Sequence, residues 1–221
     1  MLKNKIKYSF LFFFTGIIST INAQQIFIET GFESANFKNY VNNLGENTLD
    51  VNYTKSQEIF IEGGFRFNLR KNRLKCDVAL SYNKYKINTG FYSGKISIPL
   101  TYNLNYVALK TGINFAIINE LDFKLQVHGH ISYDWLIAGT SSYKNVVNDL
   151  YRENTFDRTL LRYHRGISAE YIISNKISAY INYNVADSFK DKNEDSNIEE
   201  KYSLHTNAFS IGLLFNIQTT R

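Results

Sequence analysis

The sequence contains little cysteine, proline, methionine or tryptophan, with one residue of each among 221. A lone Cys76 excludes an intramolecular disulfide framework and a cysteine-based metal cluster. One proline among twelve glycines excludes collagen-like and proline-rich architectures. The hydrophobic fraction of 44% suffices for a compact domain, and the 16 tyrosines and 17 phenylalanines favour strands. The composition therefore predicts one β-rich domain.

The chain also lacks a concentration of charge of one sign. Its formal net charge is +5, but Lys3, Lys5 and Lys7 lie in the first 23 residues, which contain no acid. The rest of the chain then has 22 basic residues out of the total of 25, against 20 acidic residues. Because a nucleic-acid-binding protein normally has a concentrated basic face, we predict no nucleic-acid partner.

The first 23 residues have the pattern of a secretory signal peptide. Three lysines precede the apolar run 8–18, and a small residue, Ala23, stands before Gln24. The run is too short to span a bilayer comfortably, and no cysteine near Ala23 is available for lipid attachment. We therefore predict a cleaved signal peptide over 1–23 and a mature domain over 24–221.

Alternation with a period of two residues dominates the mature chain, which has no apolar run long enough for a transmembrane helix. Over 121–135 every odd residue except Gly129 is apolar or aromatic, and every even residue is polar. This segment is much longer than the five or six residues of a typical strand. Eight strands are predicted in all, over 26–37, 59–70, 74–83, 100–118, 121–135, 161–173, 177–185 and 209–217. A change of phase near Tyr106 and Val107 predicts a β-bulge.

The predicted connections alternate between short and long. Short turns are expected at 71–73, 119–120 and 174–175, and long loops at 38–56, 86–98, 139–158 and 187–203. All long loops then lie at one end of an up-and-down meander, as in an outer-membrane barrel. Within the third long loop, four residues recur at helical spacing and predict a short amphipathic helix across the barrel mouth: Val146, Val147, Leu150 and Tyr151.

The charged face of each strand is predicted to point into the lumen, and the apolar face towards lipid. An eight-stranded lumen is just wide enough to be filled by side chains, and a closed barrel satisfies every backbone group in lipid. The predicted luminal charge network comprises Glu29, Glu33, Glu58, Glu62, Arg66, Lys75, Asp77, Lys124, Arg162 and Glu170. Within it, Lys75 and Lys124 are the expected counter-charges of the two glutamates on strand 2. A girdle of outward aromatic residues is expected at Tyr82, Tyr102, Tyr133, Trp135, Tyr163 and Tyr183.

A soluble barrel of the lipocalin kind is the alternative fold. It would have an apolar cavity and a charged exterior, and it does not need alternating loop lengths. The two folds therefore differ in which face of the strands is buried.

The end of the chain carries Ser210, Gly212, Phe215 and Ile217 in polar, glycine and apolar positions. With the signal peptide and eight alternating segments, this resembles the outer-membrane β-barrel domain family of Gram-negative bacteria, in particular the small OmpA/OmpX-type barrels. The resemblance implies an all-β, eight-stranded antiparallel up-and-down transmembrane β-barrel, integral in the outer membrane, with short periplasmic turns and long extracellular loops. It also implies that the four residues are the signal read by the barrel-assembly machinery. Ile217 replaces the usual aromatic residue, and four residues follow it.

One cluster suggests catalysis or metal binding: His128, His130, Ser132 and Asp134. Alternate residues of a strand share a face, so both imidazoles could reach one ion. The phase points these side chains into the lumen, however, whereas a lipid substrate approaches from outside. We therefore predict a luminal hydrogen-bonding role for His128 and His130, with no catalytic residue, metal or cofactor.

The predicted function is that of a non-enzymatic outer-membrane barrel. Its partners would be outer-membrane lipid, the assembly machinery and an unknown extracellular partner of the loops, in a structural or adhesive role. A narrow porin-like passive channel and a lipid-modifying enzyme are the alternatives.

Overall fold

The computed structural model describes residues 25–41, 56–70, 73–93, 96–144, 146–152, 158–189 and 201–217. The predicted signal peptide lies outside these residues. Among them, no helix is long and apolar enough to cross a membrane.

The described residues form nine strands, eight of which close into a ring. The strands are β1 (Gln25–Val41), β2 (Gln57–Arg70), β3 (Leu74–Ser93), β4 (Ile96–Asn119), β5 (Phe123–Tyr143), β6 (Val146–Asp149), β7 (Thr159–Ile172), β8 (Ile177–Ser188) and β9 (Lys201–Asn216). Consecutive ring strands pair antiparallel, and β1 pairs with β9 to close the ring. Only β6 lies outside the ring, paired with the end of β5. The predicted eight-stranded up-and-down barrel is confirmed.

At one end of the barrel, short connections over 120–122 and 173–176 join β4 to β5 and β7 to β8, and Arg70 of β2 pairs with Leu74 of β3 at the same end. We call this the turn end and the opposite end the loop end. The predicted long loop over 86–98 is wrong, because β3 and β4 remain paired in continuous register up to Ser93 and Ile96. Its polar composition concealed an alternation in which Tyr85 and Ile87 are buried between exposed lysines.

The amphipathic helix predicted near 146–151 is also wrong. Val146 to Asp149 form β6, which pairs with the end of β5 from Tyr143 to Thr140. Lys144 has a φ of 51° in the tight connection between the two strands. The unpaired edge of β5 supplies backbone partners that a helix there would leave unused, and Leu150 is nevertheless buried.

A register shift lies at the level of the predicted bulge, but the predicted change of phase within β4 is wrong. Side chains of β4 keep one phase from Leu104 to Ala116, with even residues inward. The register between β4 and β5 does shift next to Tyr106, but the extra residue is Ile137 of β5. A second shift makes Ile117 the extra residue of β4. The sequence suggested a phase change because both faces of β4 are apolar at this level.

The barrel is apolar outside and polar inside. Along β5, the even residues from 126 to 136 are buried and the odd residues from 127 to 137 are exposed. Outward side chains such as Ile28, Leu80 and Ile211 are more than half exposed. This is the reverse of the lipocalin-like alternative, which the structure contradicts.

Five of the six predicted girdle aromatics point outward. The exception is Tyr102, whose ring packs edge-on against Phe37 at a centroid distance of 5.1 Å. Both rings pack against the buried cluster at the loop end. Tyr102 was predicted to point outward because the predicted change of phase near Tyr106 assigned the preceding even residues of β4 to the outer face.

Candidate functional site

The lumen contains most of the residues singled out from the sequence. Eight of the ten predicted network residues are buried: Glu29, Glu33, Glu62, Arg66, Lys75, Asp77, Arg162 and Glu170. Glu58 and Lys124 are half-buried. These residues come from five strands, because the alternation turns every second side chain of each strand inward.

A two-pronged ion pair lies towards the turn end. Arg66 and Asp77 face each other in register on β2 and β3, and Nε and Nη2 of the guanidinium each donate a hydrogen bond of 2.8 Å to the carboxylate. The guanidinium also lies over the rings of Phe27 and Tyr180. This is the bidentate geometry in which two parallel N–H groups of arginine bind the two oxygens of one carboxylate.

The other luminal bases have different partners from those expected. Lys75 Nζ lies 3.7 Å from Oε2 of Glu170, and Lys124 Nζ lies 3.9 Å from Oε1 of the same carboxylate. The counter-charge of Glu62 is instead Lys110, at 2.5 Å. Lys110 was not among the residues of the predicted network, although it is an inward position of β4.

Glu29 is held by neutral donors. It accepts hydrogen bonds from the hydroxyl of Tyr180 (2.8 Å), the amide of Asn182 (3.0 Å) and the hydroxyl of Ser210 (2.6 Å). The next inward position of β9 is Gly212, where a Cβ would overlap the Tyr180 ring. Two of the four expected assembly-signal residues thus have packing roles in the barrel.

The other two assembly-signal residues lie on the outer wall. The side chains of Phe215 and Ile217 are both exposed there. Ile217 directly follows the last residue of β9.

Arg162 is a fully buried hub further towards the loop end. It donates to the hydroxyls of Tyr85 (2.6 Å) and Thr206 (2.5 Å) and to the carboxylate of Asp134 (3.1 Å). Glu33 lies 3.8 Å away. Arg162 of β7 therefore contacts side chains from four other strands, β1, β3, β5 and β9.

Beyond Arg162 the lumen is filled by an apolar plug that the sequence analysis missed. Its buried members are Ala35, Tyr85, Ile87, Leu104, Tyr106, Leu136, Leu150, Leu160 and Leu204. Leu150, which directly follows β6, closes the plug from the loop end. The available signal was that luminal positions become apolar at Tyr85 and Ile87 of β3, at Tyr106 and Leu104 of β4, and at Leu136 of β5.

The structure puts the predicted histidine cluster in the lumen but divides it. The buried rings of His128 and His130 lie 5.0 Å apart. Ser132 instead contacts His164 of β7, which was not predicted from the sequence, and Asp134 contacts Ser132 and Arg162. The described residues contain no group of three histidine, cysteine or acidic side chains placed to hold a metal ion.

Ser132, His164 and Asn184 have the spacing of a hydrolytic triad but a different hydrogen-bond direction. The Asn184 amide nitrogen lies 3.1 Å from His164 Nδ1, and Nε2 of the same ring lies 2.8 Å from Ser132 Oγ. Since the amide nitrogen can only donate, Nε2 of a neutral ring carries the proton and donates to Ser132. The serine proton goes to Asp134 at 2.5 Å. A catalytic serine would give its proton to the histidine.

Two small cavities interrupt the packing of the lumen. One of about 20 Å³ is lined by Ser132 and His164, among others, and one of about 10 Å³ by His128 and His130. A cavity needs roughly 10–15 Å³ to hold one water molecule. Each cavity is therefore of the size of about one water, too small for a substrate.

No family model and no curated protein matches the chain. Its fold is similar to that of solved structures. Neisserial surface protein A is 8% identical, with a TM-score of 0.51 over 89% of this chain and 99% of that one. The chain has the fold of the small outer-membrane β-barrels.

Two further solved barrels are similar. The outer membrane protease OmpT from Escherichia coli is 11% identical, with a TM-score of 0.49 over 89% of this chain and 98% of that one. The outer membrane protein OprG from Pseudomonas aeruginosa is 8% identical, with a TM-score of 0.48 over 88% and 97%. At 8% identity, the likeness to Neisserial surface protein A shows the fold alone.

Proposed function

We propose that the chain is a non-enzymatic, integral outer-membrane barrel with a sealed lumen, which presents its loop end for structural or adhesive contacts. The observation that carries this proposal is the inverted polarity of the wall, apolar outside and charged inside. In this orientation, the turn end faces the periplasm and the loop end faces outward. The segment up to Ala23 would direct export and be cleaved in the course of it. The assembly machinery would then read Ser210, Gly212, Phe215 and Ile217 for insertion.

The height of the outer apolar band supports insertion in a bilayer. On β8 the outward side chains are apolar or aromatic from Ile177 to Val185 and change to a carboxylate at Asp187. These nine residues match the roughly 9–11 residues with which a tilted strand crosses a bilayer. Membrane lipid is therefore the partner of this surface.

The filling of the lumen argues against the porin-like alternative. The apolar plug closes the loop end, and paired charges fill the turn end. An eight-stranded barrel encloses a bore just wide enough for side chains. Ions therefore have no continuous aqueous path between the described strands.

The long strands support a role at the loop end. β3, β4 and β5 contain 20, 24 and 21 residues, about twice the number that crosses a bilayer. Their loop-end portions, joined by β6, form a paired extension of the barrel wall. A paired sheet is more rigid than an irregular loop, and it would offer an extracellular partner a preformed surface.

Cell fractionation and gel mobility test the location. We expect the mature protein in the outer-membrane fraction, with a folded band that changes mobility only on boiling. Recovery in the soluble periplasmic fraction would contradict the proposal.

Planar-bilayer recording tests the sealed lumen in the same preparation. We expect no steady conductance from the unmodified protein. Ohmic conductance would support the channel alternative instead.

A further inference from the structure

The outer wall changes from apolar to polar at one level on two adjacent strands. Phe32 of β1 and Phe209 of β9 face each other in register, and Tyr183 of β8 pairs with Phe209 from the other side. One outward position further towards the loop end, Ser34 faces Asn207. This step marks the edge of the apolar band on this side of the barrel, where lipid headgroups begin.

A cluster of charged side chains lies just beyond this edge on the outer wall. Asp187 receives Arg165 Nη1 at 3.2 Å on one carboxylate oxygen, and Lys38 Nζ lies 3.8 Å from the other. His205 Nδ1 donates to Asp187 at 2.6 Å. We call Lys38 and Arg165 the outer-wall cation pair.

The anion of this cluster is covered, whereas its cations are accessible. The Asp187 side chain is only 13% exposed, against 44% for Lys38 and 57% for Arg165. The Asn207 amide donates to Nε2 of His205 at 3.1 Å, and two cations, Lys38 and Arg165, stand against the one carboxylate. The cluster therefore has a net charge of +1 and turns its positive groups outward.

Aromatic side chains flank the cation pair. The Arg165 guanidinium lies 5.5 Å from the centre of the Tyr163 ring, which itself lies 5.2 Å from the ring of Phe189. Tyrosine at this position is typical of a membrane interface. The cations thus project from the outer wall at the level of the lipid headgroups, rather than along the barrel axis into bulk solvent.

We propose that Lys38 and Arg165 bind the phosphate group of a lipid in the leaflet at the loop end. The inference rests on the proposed membrane location. Arginine binds phosphate oxygens through two parallel hydrogen bonds, and lysine adds a second point charge. Asp187 holds the two cations side by side in advance, and the acyl chains of the same lipid would lie on the apolar band below.

Binding of labelled phosphatidic acid to the full-length folded protein in detergent micelles tests the site, with diacylglycerol as the lipid without phosphate. The double variant Lys38→Gln/Arg165→Gln should lose about twenty-five-fold in affinity for phosphatidic acid, since each basic side chain contributes on the order of fivefold. Binding of diacylglycerol should not change.

The variant Lys84→Gln/Lys86→Gln is the matched control. It removes the same charge from two exposed residues of β3 on another side of the wall. We expect less than a twofold loss of affinity. An equal loss in both double variants would overturn the assignment in favour of general surface charge.

Two further outcomes separate the possible failures. If the wild type shows no heat-modifiable folded band and does not insert into vesicles, the proposed function itself fails. If it inserts but the Lys38/Arg165 variant binds phosphatidic acid like the wild type, only the lipid site is overturned. Full displacement of the lipid by inorganic phosphate would assign the site to free phosphate and also overturn the proposal.

Discussion

The two halves of the lumen are filled by different chemistry. Towards the turn end, buried charges meet partners on other strands, as in Arg66–Asp77 and Lys110–Glu62, beside a small apolar cluster of Phe27, Ala79, Tyr180 and Leu214. Towards the loop end, apolar side chains such as Leu136 pack into the plug. Both halves fill the same eight-stranded bore, yet they depend on their neighbours in different ways.

A buried ion pair and an apolar cluster respond differently to substitution. Removing one partner of a buried pair leaves an uncompensated charge, whereas a cluster loses contacts in proportion to the atoms removed. A one-residue slip of a strand would also turn every luminal charge of that strand towards lipid. We infer that the charged half fixes the register of the strands and that the plug provides the seal.

The largest effect is expected from Arg66→Ala. The substitution leaves Asp77 buried without its two-pronged partner, which costs about 3–5 kcal/mol of unfolding free energy. Urea unfolding in phospholipid vesicles measures the loss. Planar-bilayer recording should still show no conductance, because the plug remains intact.

A double substitution of the same pair sharpens this test. Arg66→Met/Asp77→Leu removes both charges together and should recover most of the lost stability, because apolar side chains of similar volume often replace a buried pair without loss. Unchanged stability of Arg66→Ala would mean that water screens the turn end. In that case the contrast between the two halves would disappear.

The plug should respond to volume alone. Leu136→Ala removes buried methyl groups and should cost about 2–4 kcal/mol, while Leu136→Met, which nearly conserves volume, should cost less than about 1.5 kcal/mol. The same urea titration measures both variants. A large loss in Leu136→Met would show that the plug is as specific as the charged half.

Alternation predicts the wall of this barrel well and its interior poorly. The pattern from Leu121 to Trp135 correctly orients β5, because lipid outside and side chains inside impose the same period on every strand. Alternation reveals which residues share a face but not which strands approach across the bore. The partners of Glu62 and Glu170 therefore could not be predicted.

The plug escaped prediction for a related reason. Near the loop end, inward positions such as Tyr85 and Leu104 are apolar, and outward positions nearby are polar, such as Lys84 and Asn103. The polarity of the faces thus reverses where the wall leaves the membrane. A rule that places apolar residues outward fails beyond this level, and the wrong phase near Tyr106 followed from it.

Val127→Arg tests which face of β5 meets lipid. Val127 lies on the outer wall near the middle of the apolar band, where arginine costs about 2–4 kcal/mol. Val127→Leu is the control and should be close to neutral. Gln126 is not a suitable luminal comparison, because its amide is buried and donates to Glu170 at 2.7 Å. A tolerated Val127→Arg would mean that water, not lipid, covers this wall.

The smallest effect is expected at the junction between the two halves. The ring of Tyr85 belongs to the plug, while its hydroxyl accepts a hydrogen bond of 2.6 Å from Arg162. Tyr85→Phe keeps the ring and removes one of several partners of the guanidinium, so it should cost about 1–2 kcal/mol.

Thr206→Val, which removes another hydroxyl from the same guanidinium, should cost a similar amount. If the two hydroxyls act through Arg162, the double variant should lose more than the sum of the single losses, because Arg162 then keeps only its carboxylate partners. Strict additivity in the urea titration would mean that the hydroxyls stabilise the wall independently and that Arg162 does not join the two halves.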